Sequence, residues 1–314
     1  MRPIIPFVTR ISAEEQATWH ATFRARMPDF DVRPLADLSD ADCRDAKVAI
    51  VANPEPAELR RLPSLVFVQS LWAGVERLVS ELEDQPFAIV RMTDPQLAET
   101  MAEAVLTFVL YLHRDGPAYR AQQIRHVWSE RPYRPARERR IGVLGLGNLG
   151  ALAATRLVAN GFPVEGWSRT PKAVAGVSCH SGEDGLDRVL SRSDIVVVLL
   201  PLTSGTRALL DARRLARLPS GAALINFARG PIVDTEALVA ALDDGHLGHA
   251  VLDVFAREPL PADDPLWDHP GVTILPHVSA PTTPETATRL VAENLHRFFA
   301  TGMIPEAVDR DRGY

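Results

Sequence analysis

At 314 residues the chain has room for two domains of ordinary size, and its 46% hydrophobic and 24% charged residues are those of a soluble globular protein. A net charge of −6 with scattered basic residues argues against a nucleic-acid surface. Two cysteines, Cys43 and Cys179, lie far apart and outside any metal-ligand spacing, so neither a disulfide framework nor a metal is expected and a reducing compartment fits. The first ten residues (MRPIIPFVTR) lack a signal-peptide apolar core, and the longest apolar run, 195–200, is too short to span a bilayer, so the expectation is a cytoplasmic protein with no membrane partner.

In chain order, residues 4–8 form a short apolar strand candidate. A helix over 12–26 follows, opened by Ser12 and Glu15 at capping-box spacing. Residues 48–52, 65–69 and 87–90 read as further buried strands, and 70–76 (SLWAGVE) as a turn in which Gly74 opens another helix. This alternation predicts a small parallel α/β unit over the first ninety or so residues. Leu97, Met101, Val105, Phe108 and Leu112 share one helical face, which predicts a long helix over 95–112 that crosses into a second domain. The stretch 116–140 is polar, arginine-rich and weakly periodic. Its Trp128 packs on its own domain or reaches a partner subunit, and its end, RPARERR at 134–140, reads as a solvated connector rather than a polyanion site.

From residue 141 the pattern is doubly wound, with strands expected at 141–144, 164–167, 194–200, 222–227, 249–254 and 272–275. Polar or special residues follow the strands: Ser168-Arg169-Thr170, Pro201-Leu202-Thr203, Ala228-Arg229-Gly230, Arg257-Glu258-Pro259 and Pro276-His277. Ligands of open α/β sheets bind outside the carboxyl ends of the strands, so these loops are expected to converge on one cleft. A last helix over 283–300 and a polar tail over 301–314 complete the chain. If that helix returns to the first domain, the first domain is discontinuous, 1–96 with 281–314, around a second domain at 97–280.

The first strand of the second domain runs straight into Gly145-x-Gly147-x-x-Gly150, and an alanine-rich amphipathic segment begins there. Strand, glycine turn and helix start suit a dinucleotide pyrophosphate: Gly145 allows the turn, Gly147 lets backbone approach phosphate, and Gly150 lets helix pack on strand. The helix N-terminus adds free N–H groups and partial positive charge. An ordinary glycine turn is the alternative, but both flanks fit the cofactor. At the end of the next strand, where NAD-binding units carry an acid for the ribose 2′-OH, this chain has Ser168, followed by Arg169, Thr170 and, close by, Lys172. A guanidinium and two hydroxyls suit a 2′-phosphate, which makes NADP(H) the preferred cofactor and NAD(H) the secondary one.

Arg229, Glu258 and His277 lie on three of the strand-end loops. Singly they have plain readings as a surface ion pair, a turn residue and a satisfied histidine. Together they form a workable 2-keto acid reductase. A protonated histidine donates to the oxygen on which charge develops, a neighbouring carboxylate favours the imidazolium, and a guanidinium binds the substrate carboxylate. Asp253, at another strand end, is placed to hold the nicotinamide amide or to cap its own turn.

At this point the chain resembles the D-isomer-specific 2-hydroxyacid dehydrogenases, most closely those of the glyoxylate/hydroxypyruvate reductase A type. The resemblance covers most of the chain and rests on GLGNLG at 145–150, WSRT at 167–170, NFARG at 226–230, LDVFAREPLP at 252–261, PHVSA at 276–280 and the terminal VDRDRGY. It implies a Rossmann nucleotide domain inserted in a smaller flavodoxin-like substrate domain, both doubly wound on parallel sheets. It implies the triad Arg229, Glu258 and His277, with His277 as proton donor, and a carboxylate grip made by backbone amides around Trp72, Ala73 and Gly74. It also implies that Asn148, Leu149, Leu200, Pro201, Thr206, Phe227, Ala228, Asp253 and Ser279 line the cofactor, with Met101 near the nicotinamide. A homodimer through the nucleotide domain, clasped by the 116–140 arm, is expected. The segment Ala52-Asn53-Pro54-Glu55 departs from the pattern: it lacks an aromatic expected near a small keto-acid pocket.

The expectation is therefore NADPH-dependent reduction of glyoxylate or hydroxypyruvate. An NAD-linked dehydrogenase of a larger D-2-hydroxy acid and a non-catalytic nucleotide-sensing protein are the alternatives.

Overall fold

The structure is a computed structural model describing residues 2–310 and 313. Residues 311, 312 and 314 of the terminal VDRDRGY motif lie outside the described residues. The chain divides into two compact units, Met1–Gln96 with Thr282–Tyr314, and Leu97–Pro281.

The first unit is a five-stranded parallel sheet of β1 (Ile4–Thr9), β2 (Asp31–Pro34), β3 (Val48–Ala52), β4 (Phe67–Ser70) and β5 (Ala88–Val90). The strand order β2-β1-β3-β4-β5 is that of flavodoxin-like folds. All five residues of β3 are inaccessible because helices cover both faces of the sheet, which is why VAIVA is apolar throughout rather than alternating. The helix Ala13–Arg26 starts at the expected capping box: Glu15 N donates to Ser12 Oγ at 3.2 Å, and Ser12 N donates to the Glu15 carboxylate at 3.0 Å. Such a cap contributes about 0.5–2 kcal/mol. Trp19 and Phe23 of this helix share a core with Phe7, Ile50, Phe67 and the terminal helix Pro284–Thr301, which contributes Ala287, Val291 and Leu295. Polar ties reinforce the return: Asn294 Nδ2 donates to Gln69 Oε1 at 2.9 Å, and the Thr286 hydroxyl bonds Asp94. The late helix belongs with the early strands because its apolar face completes their core.

The second unit is a seven-stranded parallel sheet: β6 (Ile141–Leu144), β7 (Val164–Trp167), β8 (Val177–His180), β9 (Ile195–Val198), β10 (Ala222–Asn226), β11 (Leu247–Leu252) and β12 (Val272–Ile274). Its order, β12-β11-β10-β9-β6-β7-β8, is the Rossmann order with one strand added. Direction of winding reverses between β6 and β9, which are paired from Ile141 opposite Ile195 to Leu144 opposite Val198. The helix Pro95–His113 buries Met101, Val105 and Val109 against Ile141, Val143 and Ile195 on one face. The helix Gly182–Arg192 buries Leu186, Val189 and Leu190 on the other.

Two strands, β2 and β8, were not anticipated, and both lie at sheet edges where a continuous apolar run is not required. The helix expected to open at Gly74 begins at Glu76 instead, after Val75. The arm holds a helix, Gly116–Ile124, that buries none of its residues, which is why no apolar periodicity announced it. Trp128 is 99% exposed, so it does not pack on its own domain. Among the described residues no helix is long and apolar enough to cross a membrane.

Candidate active site

The glycine loop leaves β6 at the switch point. Gly145 has φ 106°, and a β-carbon there would lie 2.6 Å from the Leu199 carbonyl oxygen after β9. A β-carbon at Gly150 would lie 1.7 Å from the Gly145 oxygen, so only glycine lets the helix Asn148–Ala159 start this close to the strand. Gly147 differs: a β-carbon there would meet nothing within 4 Å. It is also the helix N-cap and supplies no side-chain hydrogen bond. The loop therefore presents open space beside uncapped helical N–H groups, a cradle suited to a dinucleotide pyrophosphate.

At the end of β7, Ser168 is buried, and its hydroxyl donates to the Thr170 carbonyl at 2.7 Å. The turn thus lacks a carboxylate and is shaped by the serine itself. Arg169, Thr170 and Lys172 are exposed on it. Hydroxyl, guanidinium and ammonium are the groups a 2′-phosphate requires, and an acid that would repel it is absent from Ser168 to Lys172.

The loops after β10, β11 and β12 carry Arg229, Glu258 and His277, the three residues of the expected triad. Gly230 brings the first two together: a β-carbon there would lie 2.1 Å from the Phe255 carbonyl carbon. Asn226 fixes the Arg229 turn from within, accepting from Ala228 N and donating to the Arg229 carbonyl, both at 3.1 Å. Glu258 Oε1 accepts from Phe255 N at 2.9 Å, and its Oε2 lies 2.7 Å from His277 Nδ1. The hydrogen bond that His277 donates to Glu258 raises the His277 pKa above its ordinary value, with burial and the Arg229 charge opposing. Burial pushes Glu258 upward, but its bonds from His277 and Phe255 N and the nearby cations together hold it below its ordinary value. The pair is therefore imidazolium and carboxylate over a wider pH range than either group alone would be. His249 shows the contrasting outcome: buried on β11 with Nε2 2.9 Å from Thr273 Oγ1, it is pushed down to about 4 and stays neutral.

His277 has φ 56°, a left-handed conformation that costs a non-glycine residue of order 1–3 kcal/mol. Asp253 holds it there. The carboxylate, 2% exposed, accepts from Val278 N at 2.7 Å, from Ser279 N at 3.0 Å and from the Ser279 hydroxyl. Of the two roles expected for Asp253, tethering a turn is thus visible, although the turn is the one after β12, not its own. Sequence reading missed both this tether and the part played by Asn226; a polar residue inside an otherwise apolar strand was the available signal.

Of the other expected cofactor residues, Asn148, exposed, and Leu149, half-buried, open the helix after the glycine loop, and the rest fall into two groups. Pro201 and Thr206 share the loop after β9, where Thr206 Oγ1 donates to the Pro201 carbonyl at 2.6 Å and accepts from Thr203 N at 2.8 Å. Met101, Leu200, Phe227 and Ala228 are buried in the unit's core, Phe227 edge-on to Phe108 at 5.6 Å, so their side chains stiffen the walls of the strand-end loops. In the first unit, Trp72 N donates to Ser70 Oγ at 3.0 Å, while the N–H groups of Ala73 and Gly74 have no partner among the described residues.

Residues 106–279 match the family model of the D-isomer specific 2-hydroxyacid dehydrogenase NAD binding domain. Over the full length of both chains, the protein is 42% identical, with a TM-score of 0.92, to a D-isomer specific 2-hydroxyacid dehydrogenase of Xanthobacter autotrophicus Py2 solved with NADPH and MES. It is 32% identical, again at full coverage of both chains and with a TM-score of 0.92, to an NADPH-dependent glyoxylate/hydroxypyruvate reductase (SmGhrA) of Sinorhizobium meliloti solved with NADP and sulfate. A family protein of Klebsiella pneumoniae 342 is 37% identical, with 98% and 97% of the two chains covered and a TM-score of 0.90. With two parallel α/β units, a glycine cradle at the switch point and an Arg–Glu–His set at the strand ends, this chain belongs to the D-isomer specific 2-hydroxyacid dehydrogenase family of oxidoreductases.

Proposed function

We propose that the protein reduces small 2-keto acids, glyoxylate and hydroxypyruvate among them, to 2-hydroxy acids with NADPH. The observation that carries this reading is the His277–Glu258 pair. With Nδ1 bound to the carboxylate, a protonated imidazole has Nε2–H left to give to the carbonyl oxygen. The second unit would hold a reduced nicotinamide, which when bound would supply the hydride. Arg229 binds the substrate carboxylate and polarises the carbonyl. In the first unit, the N–H groups of Ala73 and Gly74, without a partner among the described residues, are suited to a carboxylate. Asp253 keeps the His277 turn in place and, through its remaining acceptor capacity, receives the cofactor amide.

Ser168 and Arg169 support the NADPH preference, and the Xanthobacter and Sinorhizobium relatives were solved with NADPH and NADP. A second copy of this chain is the partner that fits the arm, where Ile124, Val127, Trp128 and Tyr133 are exposed. The reducing compartment of a cytoplasm suits the cofactor. Steady-state reduction of glyoxylate and hydroxypyruvate with each dinucleotide tests the proposal. Charge-assisted bonds to the 2′-phosphate, at about 1.5–3 kcal/mol, predict a kcat/KM for NADPH above that for NADH by roughly tenfold or more. Equal values, or a preference for NADH with larger keto acids, would favour an NAD-linked dehydrogenase.

A further inference from the structure

The RPARERR segment does more than connect. It folds through the turn Ala136–Glu138 and lines a cavity of about 510 Å³ at the amino ends of β6 and β9, with Ser191, Arg192 and Asp194 also in the wall. The strand β6 separates this cavity from the glycine loop by four residues, about 13 Å of extended chain. Arg134, Arg137, Arg140 and Arg192 face it, against the carboxylates of Glu138 and Asp194, in a protein whose overall charge is negative.

Those carboxylates do not neutralise the wall. Asp194 is committed: Arg134 Nη1 and Nη2 donate to its two oxygens at 2.8 and 3.0 Å, and Arg140 N donates to Oδ2 at 2.7 Å. This fork holds the segment rigid and uses up Arg134. Glu138 lies 3.7 Å from Arg137, too far for a strong bond. Arg192 is 3.4 Å from Glu165. The Arg140 side chain has no hydrogen bond or ion pair among the described residues.

We infer that this cavity is a binding site for a diphosphate, either free or carried on a nucleotide, gripped by Arg137 and Arg140 while the Arg134–Asp194 fork and the Arg192–Glu165 ion pair hold the wall. Guanidinium groups bind phosphate oxygens in forked, charge-assisted pairs, and the volume lies in the range of small-ligand sites. The site is separate from the dinucleotide cradle and does not rest on the proposed reaction.

Calorimetric titration of inorganic pyrophosphate, and separately of guanosine diphosphate, into protein held in saturating NADPH at constant ionic strength tests the assignment. Saturating NADPH keeps both probes out of the dinucleotide cradle. The expected result is saturable binding of at least one probe, weakened tenfold or more in the Arg137→Ser/Arg140→Ser double variant, with NADPH affinity unchanged. Pyrophosphate alone binding identifies a free diphosphate, and both binding identifies a nucleotide-borne one as well. If the double variant does not fold, Arg137→Glu, at a side chain 78% exposed, repeats the comparison. No saturable binding of either probe, or equal affinity in wild type and variant, overturns the inference.

Discussion

Gly150 and Gly145 touch through space that no side chain can share: a β-carbon on the first would lie 1.7 Å from the carbonyl oxygen of the second. Gly147, between them, has open space where its β-carbon would project. The two kinds of glycine separate on mutation. Gly150→Ala is expected to destabilise the second unit by about 1–3 kcal/mol through overpacking. Gly147→Val is expected to cost less than about 1 kcal/mol and yet to weaken NADPH binding severely, because the side chain fills the cradle. Thermal denaturation alongside fluorescence titration of NADPH distinguishes them; equal effects of both variants on stability would contradict the geometry.

Asp253 accepts backbone hydrogen bonds from Val278 and Ser279, so its removal strands two N–H groups next to a left-handed His277. Asp253→Ala is expected to lower stability by about 1–3 kcal/mol for the lost partners and to reduce kcat as well. Denaturant titration and steady-state kinetics on the same preparation check this. Unaltered kcat in a destabilised variant would mean that the turn does not depend on its tether.

Glu258 raises the His277 pKa, and the proposed reduction draws its proton from the imidazolium, so reductive activity is expected to fall as pH rises through that raised value. Glu258→Gln removes the main cause of the elevation, leaving burial and the Arg229 charge to act downward. The alkaline limb of the kcat/KM profile is therefore expected to move to lower pH. The rising limb for 2-hydroxy acid oxidation, which needs neutral imidazole, moves the same way. A profile that stays in place would show that the pair does not govern the proton.

Arg169 sits on a turn from Ser168 to Lys172 that carries no carboxylate. Arg169→Ala is expected to raise the KM for NADPH by roughly tenfold or more while changing the KM for NADH little. Equal losses with the two dinucleotides would remove the 2′-phosphate from that loop.

Much of this was legible because burial on two faces writes continuous apolar runs. VAIVA at β3 and IVVV at β9 are inaccessible or nearly so, and their strands stood out. Edge strands have no such obligation: β2 reads DVRP and β8 reads VSCH, and both passed unnoticed. Arg229, Glu258 and His277 were visible as residue types at strand ends. The contacts that position them were not, because Asp253 meets its partners 25 and 26 residues later, and Gly230 matters only through the approach of Phe255. The arm's helix left no trace because it buries nothing within its own chain.

The most direct test of the His277–Glu258 chemistry is NADPH consumption, followed at the reduced-nicotinamide absorbance band, against a panel of 2-keto acids with wild-type protein and His277→Ala. Wild type is expected to turn over glyoxylate or hydroxypyruvate, and the variant to lose about 10²–10⁴-fold in kcat while its NADPH affinity stays the same. No consumption with any keto acid, or full turnover without the imidazole, would contradict it.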